Sequence, residues 1–255
     1  MKNFINHTSY SRKEDIKRLK FIQDAIISRN SKDLNILEIG CGNGHICYQL
    51  AKNDFEIRGI DLCPNTIENA KATYKHEKLS FEVKNAETLV SGKPYDVIIM
   101  SEVLEHLNYP DSVLGVVSNL LKPNGISIIT VPNGYGPREV FITKPVQKIY
   151  RSKGPLANTL KGFKMALGYK GVTVQSANND LTHIQFFSLK DLHALAKKNG
   201  LKIIKVGAAN LLDGVFPFSF ITKRSKAMQS FDCWVADKVP IKWASGFNTV
   251  MIKEN

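Results

Sequence analysis

The sequence predicts an α/β fold with a doubly wound parallel sheet. Short apolar segments typical of buried strands alternate with segments in which apolar residues recur at helical spacing. The first apolar segment, residues 36–39, runs directly into three glycines spaced two apart, and the second, residues 56–61, ends in a carboxylate. Alternating strands and helices form parallel sheets with right-handed crossovers, and such sheets bind ligands at the carboxyl ends of their strands.

The other predicted elements follow in chain order. Helical spacing marks residues 1–30 as an N-terminal helical segment, and Pro64 opens a helix over residues 65–74, because proline is tolerated in a first turn. A helix stop is predicted at residues 121–125, and a helix at 189–199 ends at Gly200. Further strands are predicted at residues 80–84, 95–100, 126–131, 201–206 and 248–253. One domain over residues 1–255 accommodates all of them.

The glycine-rich loop after the first strand indicates a ligand site. Gly40, Gly42 and Gly44 allow positive φ and leave no Cβ to obstruct a ligand. The dinucleotide fingerprint G-x-G-x-x-G would need a third glycine at position 45, which is His45. The pattern G-x-G-x-G after a strand that carries Glu38 instead resembles motif I of the class I S-adenosylmethionine (SAM) methyltransferases.

This resemblance implies a fold and a cofactor. Its members have a Rossmann-like, doubly wound seven-stranded sheet of order 3-2-1-4-5-7-6 with the last strand antiparallel, so residues 201–206 and 248–253 are the candidates for the final two strands. The implied cofactor is SAM, with S-adenosylhomocysteine (SAH) as product.

Cofactor-binding residues are expected along the first four strands. Asp61 can accept hydrogen bonds from both ribose hydroxyls. Asn85 stands where the family usually has an aspartate that meets the adenine amino group, and it keeps a carbonyl acceptor without the charge. Cys41 is expected to contribute its backbone only. The expected set is Glu38, Gly40, Cys41, Gly42, Gly44, Asp61, Leu62, Asn85, Ala86, Glu87 and Ser101.

Carboxylates and imidazoles follow the fourth strand. Glu102, Glu105 and His106 stand at the mouth of the predicted sheet, and His183 precedes the helix entry at Ser188. E-x-x-E-H with a further histidine resembles two groups of O-methyltransferases, those of ubiquinone biosynthesis and those that methylate the terminal 2′-hydroxyl of small RNAs. In the latter the four side chains hold a divalent ion. The resemblance therefore suggests His106, His183 and Glu102 as catalytic residues, and Glu102, Glu105, His106 and His183 as metal ligands.

Simpler roles stay open for these four residues. His106 could orient its loop, contact the substrate or act as a general base without metal. Glu102 and Glu105 could complement a helix N-terminus, and His183 could cap the next helix.

The net charge of +12 lies in one part of the chain. Residues 133–230 contain 16 basic and 4 acidic residues, whereas the rest of the chain is balanced. Within them, residues 133–187 interrupt the predicted core, and apolar residues at helical intervals between lysines predict a basic helical cap of two short helices over the acceptor site. A solvated lysine-rich face is the simpler explanation. The alternative is a cleft that concentrates an anionic acceptor.

We therefore expect O-methylation of a small anionic acceptor, phosphorylated or nucleotide-linked, such as a surface-polysaccharide precursor. The expectation rests on the basic insertion and on similarity to methyltransferases of glycan biosynthesis. A quinone precursor or an RNA 2′-hydroxyl is the alternative acceptor, although the chain has no appended RNA-binding domain. An NAD-linked oxidoreductase and a non-catalytic SAM-binding protein are the alternatives of another class.

The sequence predicts a cytoplasmic protein. No apolar run approaches the ~20 residues that span a membrane, and no signal peptide is recognised. The four cysteines have neither disulfide-like nor zinc-like spacing. The basic helices and the aromatic-rich residues 211–221 could contact a membrane surface, or a second copy in a homodimer.

Overall fold

The structure is a computed structural model that describes residues 10, 12–31, 33–89, 94–145, 148, 183–213, 215, 218–222 and 224–254. Seven strands form one sheet. They are β1 (Asn35–Ile39), β2 (Glu56–Asp61), β3 (Leu79–Val83), β4 (Tyr95–Ser101), β5 (Leu121–Pro132), β6 (Leu201–Ala208) and β7 (Gly246–Lys253).

Seven α-helices accompany the sheet in the described part of the chain. They are α1 (Lys13–Ile27), α2 (His45–Ala51), α3 (Pro64–Thr73), α4 (Pro110–Leu120), α5 (Leu189–Lys198), α6 (Phe218–Thr222) and α7 (Lys226–Ala236). Short 3₁₀ turns lie at Ala86–Thr88, Leu104–His106 and Ile241–Trp243, and a π-helical turn at Glu139–Thr143.

The strand order is β3-β2-β1-β4-β5-β7-β6, which confirms the predicted order. The strands β1 to β5 are mutually parallel, and β7 is antiparallel to both of its neighbours, β5 and β6. Because β5 and β6 are both antiparallel to β7, they run in the same direction. The carboxyl ends of β1, β4, β5 and β6 therefore meet at one edge of the sheet.

Both faces of the sheet are covered, as the continuous apolar strands require. Successive residues of a strand point to opposite faces. Ile36 joins a core that includes Leu19 and Ile22 of α1, whereas Leu37 joins the core built with α4 and α5 on the other face. Strand β1 is buried along its whole length. This rigid centre holds the loops at the carboxyl edge.

The start of β5 differs from the prediction of a helix stop. Helix α4 does end at Leu120, but residues 121–125 already belong to β5. Leu121 pairs with Tyr95, and the register then shifts before Ile126 pairs with Val97. The irregularity accommodates the residues that were predicted to form the stop.

The predicted basic cap, residues 133–187, falls mostly on residues outside those described. Of this segment the structure describes 133–145, 148 and 183–187. The cap therefore stays a prediction. Helices α6 and α7 between β6 and β7 were not predicted. No helix in the described part of the chain is long and apolar enough to cross a membrane.

Candidate functional site

The loop between β1 and α2 has the backbone conformation that its glycines predict. Gly40, Gly42 and Gly44 all have positive φ, at 69°, 52° and 78°. A Cβ added at Gly40 would lie 2.4 Å from Cγ2 of Val103. The glycine-rich loop therefore touches the loop that follows β4, and a side chain at position 40 would force the two apart.

Asp61, at the carboxyl end of β2, is joined to the glycine-rich loop. Its Oδ2 accepts a hydrogen bond from the Gly42 backbone N–H at 3.0 Å, and its Oδ1 accepts one from the Cys63 N–H at 2.9 Å. A carboxylate oxygen can accept two hydrogen bonds, so capacity for ribose hydroxyls remains. The adjacent Leu62 is 68% exposed. A large apolar side chain left in solvent beside this loop suits the flat face of an adenine.

The predicted cofactor residues after β3 and β4 lie in turns. Oδ1 of Asn85 accepts a hydrogen bond from the Glu87 N–H at 2.9 Å and so opens the turn that contains the buried Ala86. The Ser101 hydroxyl lies 3.3 Å from that of Thr130. Contacts of these residues with adenine or methionine stay predictions.

Glu38 lies beneath the glycine-rich loop. It is 3% exposed, and its Oε2 accepts a hydrogen bond from the Cys47 thiol at 2.9 Å. Burial raises the pKa of Glu38 to about 8. The side chain thus occupies the space between β1 and α2, with its carboxyl group mainly protonated at neutral pH. A direct role in cofactor binding stays a prediction. The backbone of Cys41 donates to the Ile60 carbonyl at 3.0 Å, which joins the loop to β2.

Two histidines meet beyond β4. The backbone N–H groups of Ile184 and Gln185 both donate to the Glu105 carbonyl at 2.9 Å, and this anchors the segment of His183 over the turn that carries His106. The two imidazole rings lie 5.2 Å apart between centroids, edge to face. The candidate ligand atoms of Glu105, His106 and His183 all lie within 4.8 Å of one another. Two segments distant in sequence therefore bring together three of the four residues that were predicted to converge.

Glu139 is a fourth member that the sequence analysis did not assign. It is 1% exposed, and its Oε1 lies 3.5 Å from Nδ1 of His183. We call Glu105, His106, Glu139 and His183 the Glu–His cluster. One available signal was that Glu139 is the sole acidic residue among residues 138–170, which contain eight basic ones.

The carboxyl groups of the Glu–His cluster are buried, with one histidine nitrogen near each of them. Neither oxygen of Glu105 nor of Glu139 accepts a hydrogen bond from a described residue. Burial raises the pKa of Glu105 well above its usual range, and the charges of Glu102 and Glu139 raise it further. Uncompensated buried carboxylates are costly, and protons or a cation would relieve that cost.

Glu102 makes its hydrogen bond and its ion pair outside the Glu–His cluster, although its charge affects Glu105. Its backbone is left-handed, with φ 58°, and its Oε1 accepts a hydrogen bond from the Thr130 hydroxyl at 2.9 Å. The same oxygen lies 3.5 Å from Nη1 of Arg18, a buried residue of α1. The structure therefore brings together three of the four predicted metal ligands and turns the fourth towards β5 and α1.

The donor set fits a divalent cation. Carboxylates and imidazoles bind Mg²⁺, Mn²⁺ or Zn²⁺. The buried oxygens of Glu105, which accept no hydrogen bond from a described residue, are the observation that supports such an ion. Glu105, His106 and His183 would hold it, with Glu139 beside His183.

A cleft next to Glu102 has balanced charge. It is lined by Glu14, Arg18, Glu102 and Arg138, together with residues at the ends of β5, β6 and β7. Two guanidinium groups and two carboxylates line this cleft, and the basic cap for which an anion site was predicted lies mostly outside the described residues.

Comparison with known proteins agrees with the strand order and with the position of the glycine-rich loop. The family profile described as a methyltransferase domain matches residues 11–206. The ubiquinone biosynthesis O-methyltransferase of Rickettsia canadensis (strain McKiel) is 39% identical over 121 residues, which cover 46% of this chain and 51% of the relative. Its counterpart from Pelagibacter ubique (strain HTCC1062) is 36% identical over 126 residues, with 46% and 52% covered. The chain spans about half the length of the curated relatives it matches.

Solved structures share the fold at low identity. One is the magnesium protoporphyrin IX methyltransferase of Synechocystis PCC 6803 with bound SAH. The match has a TM-score of 0.58 at 12% identity and covers 94% of this chain and 84% of that chain. A putative sarcosine dimethylglycine methyltransferase of Galdieria sulphuraria has a TM-score of 0.59 at 14% identity, with 94% and 86% covered. Since the family profile matches most of the chain and the sheet has the strand order expected for that family, this chain belongs to the class I SAM-dependent methyltransferases.

Proposed function

We propose that the protein is an O-methyltransferase that transfers a methyl group from SAM to a phenolic hydroxyl of a small quinone precursor bound at the Glu–His cluster. The observation that carries the proposal is the convergence of two imidazoles and two buried carboxyl groups beyond β4. The loop that follows β4 also contains Val103, which lies against the glycine-rich loop. This arrangement sets deprotonating groups next to the expected cofactor site.

SAM supplies an electrophilic methyl group on a positively charged sulfur. The protein has to hold the two reactants in line and remove the proton of the acceptor. The positive-φ backbone of the glycine-rich loop and the carboxylate of Asp61 form the holding surface for the cofactor. The contact between Gly40 and Val103 fixes the distance between that surface and the turn that carries His106.

Proton removal falls to the imidazoles. An imidazole has a pKa near ~6.5 and can accept a proton from a bound hydroxyl close to neutral pH. Oε1 of Glu105 lies 3.7 Å from Nε2 of His106, and Oε1 of Glu139 lies 3.5 Å from Nδ1 of His183. Each carboxyl group can thus orient one ring. A divalent cation held by Glu105, His106 and His183 would lower the pKa of the acceptor hydroxyl.

The acceptor class is supported by the names of the relatives and by the acidity of a phenol. The curated relatives are named for ubiquinone biosynthesis, and a phenol, with a pKa near ~10, is an accessible acid for an imidazole base. An anionic acceptor such as a surface-polysaccharide precursor stays a prediction, since most lysines that suggest it lie outside the described residues.

The proposal is tested by measuring SAH formation with a catechol-type phenol and with a phosphorylated sugar. We expect turnover of the phenol, and a loss of at least ~100-fold in kcat for His183→Ala, because general base catalysis contributes about 10²–10⁴-fold. SAM affinity, measured by calorimetry, should stay within about twofold of the wild type. The matched control is His193→Ala, which removes an exposed imidazole from α5.

Two results would contradict the proposal. One is turnover of the phosphorylated sugar alone. The other is a loss in His183→Ala no larger than that in His193→Ala. Calorimetric titration with Mn²⁺ tests the cation separately, and Glu105→Gln should weaken its binding while the free protein stays folded.

A further inference from the structure

The segment between β6 and β7 has a surface that the methyl-transfer site does not use. Large apolar side chains of α6 and α7 each leave between 41% and 59% of their area in solvent. They are Phe218, Phe220, Ile221, Met228, Phe231 and Trp234. We call these residues the aromatic surface, and no described residue covers it. Several large exposed apolar side chains on one segment indicate an interaction surface, whereas scattered single ones do not.

Helix α7 shows that this exposure is confined to one side. Met228, Phe231 and Trp234 follow at intervals of three, and the rings of Phe231 and Trp234 stack at 5.9 Å between centroids. The opposite side packs on α1, where the Lys13 backbone N–H donates to Gln229 and the Lys17 ammonium donates to the Cys233 carbonyl. One side of the helix is thus packed against the protein, and its apolar side is exposed.

Basic side chains surround the aromatic surface. Arg224, Lys226, Lys238 and Lys242 are exposed, and two of them lie over aromatic rings, Arg224 at 4.6 Å from the centroid of Phe220 and Lys238 at 6.0 Å from that of Trp234.

The carboxylates of α7 and of its C-cap residue have partners outside the aromatic surface. Asp232 accepts hydrogen bonds from the backbone N–H groups of residues 211–213, and Asp237 pairs with Lys17 at 2.7 Å. The charge left around the described part of this surface is therefore positive.

This combination suits an anionic membrane rather than a second copy of the chain. In a twofold dimer the same patch would meet itself, and the four cations would face four cations. Anionic lipid headgroups attract such cations, and the interface between headgroups and acyl chains takes up aromatic and aliphatic side chains. We propose that the aromatic surface binds the protein to an anionic membrane surface.

The fold places this surface on the same edge as the candidate active site. Residues 209–245 leave β6 at its carboxyl end and return to the start of β7, at the edge where β5 ends. Nδ2 of Asn210 donates to Glu14 at 2.8 Å, and Glu14 lines the cleft that also contains Glu102. Membrane binding would thus bring the mouth of the sheet towards the lipid. The inference stands independently of the acceptor, since it is measured without turnover.

Tryptophan fluorescence provides the test. The chain contains two tryptophans, Trp234 and Trp243, which are 57% and 55% exposed in this segment. We expect a blue shift of the full chain's emission with vesicles of phosphatidylglycerol and phosphatidylcholine, and quenching by brominated lipid. Phosphatidylcholine alone, or high salt, should reduce both effects, because screening weakens exposed charges.

Variants locate the contact. Met228→Ser with Phe231→Ser keeps both tryptophans and should weaken vesicle co-sedimentation at least tenfold. Ile204→Ser on β6, which removes a side chain that is 53% exposed, is the matched control. An unchanged emission with anionic vesicles, or equal binding by the double variant and the control, would overturn the inference. A blue shift that instead follows protein concentration without lipid, together with a dimer in sedimentation velocity, would assign the surface to a second copy.

Discussion

At the residue scale, Asp61 joins two parts of the candidate cofactor site. One carboxylate oxygen accepts from the glycine-rich loop and the other from the turn after β2. The residue thus orders the loop before a cofactor arrives, and it presents charge to the ribose. Charge-assisted hydrogen bonds of this kind are worth about 1.5–3 kcal/mol each.

Asp61→Ala should therefore weaken both SAM and SAH by at least ~10-fold in calorimetry. Loss of order in the loop and loss of the ribose acceptor act in the same direction. Asp24→Ala, which removes an exposed carboxylate from α1, is the control and should leave both affinities unchanged. A loss below about twofold for Asp61→Ala would place the ribose elsewhere.

The Glu–His cluster shows what single residues reveal before a structure is known. The convergence of Glu105, His106 and His183 could be predicted, because parallel strands deliver such residues to one edge and the motif resembles known enzymes. The position of Glu139 in this cluster could not be predicted, because it depends on the path of the chain after β5. The departure of Glu102 could not either, because a left-handed backbone at a non-glycine residue is rarely signalled by sequence.

At the scale of elements, helix α5 fixes the segment that carries His183. Ser188 caps α5 by accepting from the Asp191 N–H at 3.2 Å, and Asp191 accepts in return from the Ser188 N–H at 2.9 Å. Three and four residues earlier, Gln185 and Ile184 anchor the same segment to Glu105. The capping box therefore limits how far His183 can move from His106.

Ser188→Ala should lower the free energy of unfolding by about 1 kcal/mol, the usual cost of losing an N-cap. Urea unfolding measures the difference. The control is Ser230→Ala, an exposed position within α7, where a change within ±0.5 kcal/mol is expected. Equal stability of Ser188→Ala and the wild type would show that the cap is not needed.

Prediction of elements succeeded where the apolar pattern had a clear period. The strands β1 to β7 and helix α5 were placed within a few residues. Helices α6 and α7 were missed for two different reasons. Helix α6 has five residues, too few to show a period, and α7 is apolar on its exposed side as well as on its buried side.

At the scale of the whole molecule, Glu38 makes stability depend on pH. Its pKa is raised from 4.5 to about 8 on folding, because burial disfavours the charged form. Below about pH 4.5 the carboxyl group is protonated in both the folded and the unfolded protein, so its ionisation does not lower the free energy of unfolding. As pH rises from there towards about 8, the unfolded state ionises first, and the free energy of unfolding falls by up to ~1.4 kcal/mol per pH unit.

Glu38→Gln should remove this loss, so that the variant gains stability relative to the wild type as pH rises from 5 to 8. Urea unfolding at several pH values measures the difference in slope. Glu68→Gln, an exposed position on α3, is the control and should keep the slope of the wild type. Identical slopes for wild type and Glu38→Gln would contradict the assignment.

The position of β7 has a consequence for biosynthesis. This strand is the last of the seven to be translated, yet it lies inside the sheet, paired with β5 on one side and β6 on the other. A nascent chain can assemble β1 to β5 but has no partner for β6 until residues 246–253 emerge. During that interval β5 keeps an open hydrogen-bonding edge, the kind of edge on which nascent chains aggregate. The time taken to translate residues 133–253 thus sets how long that edge stays open.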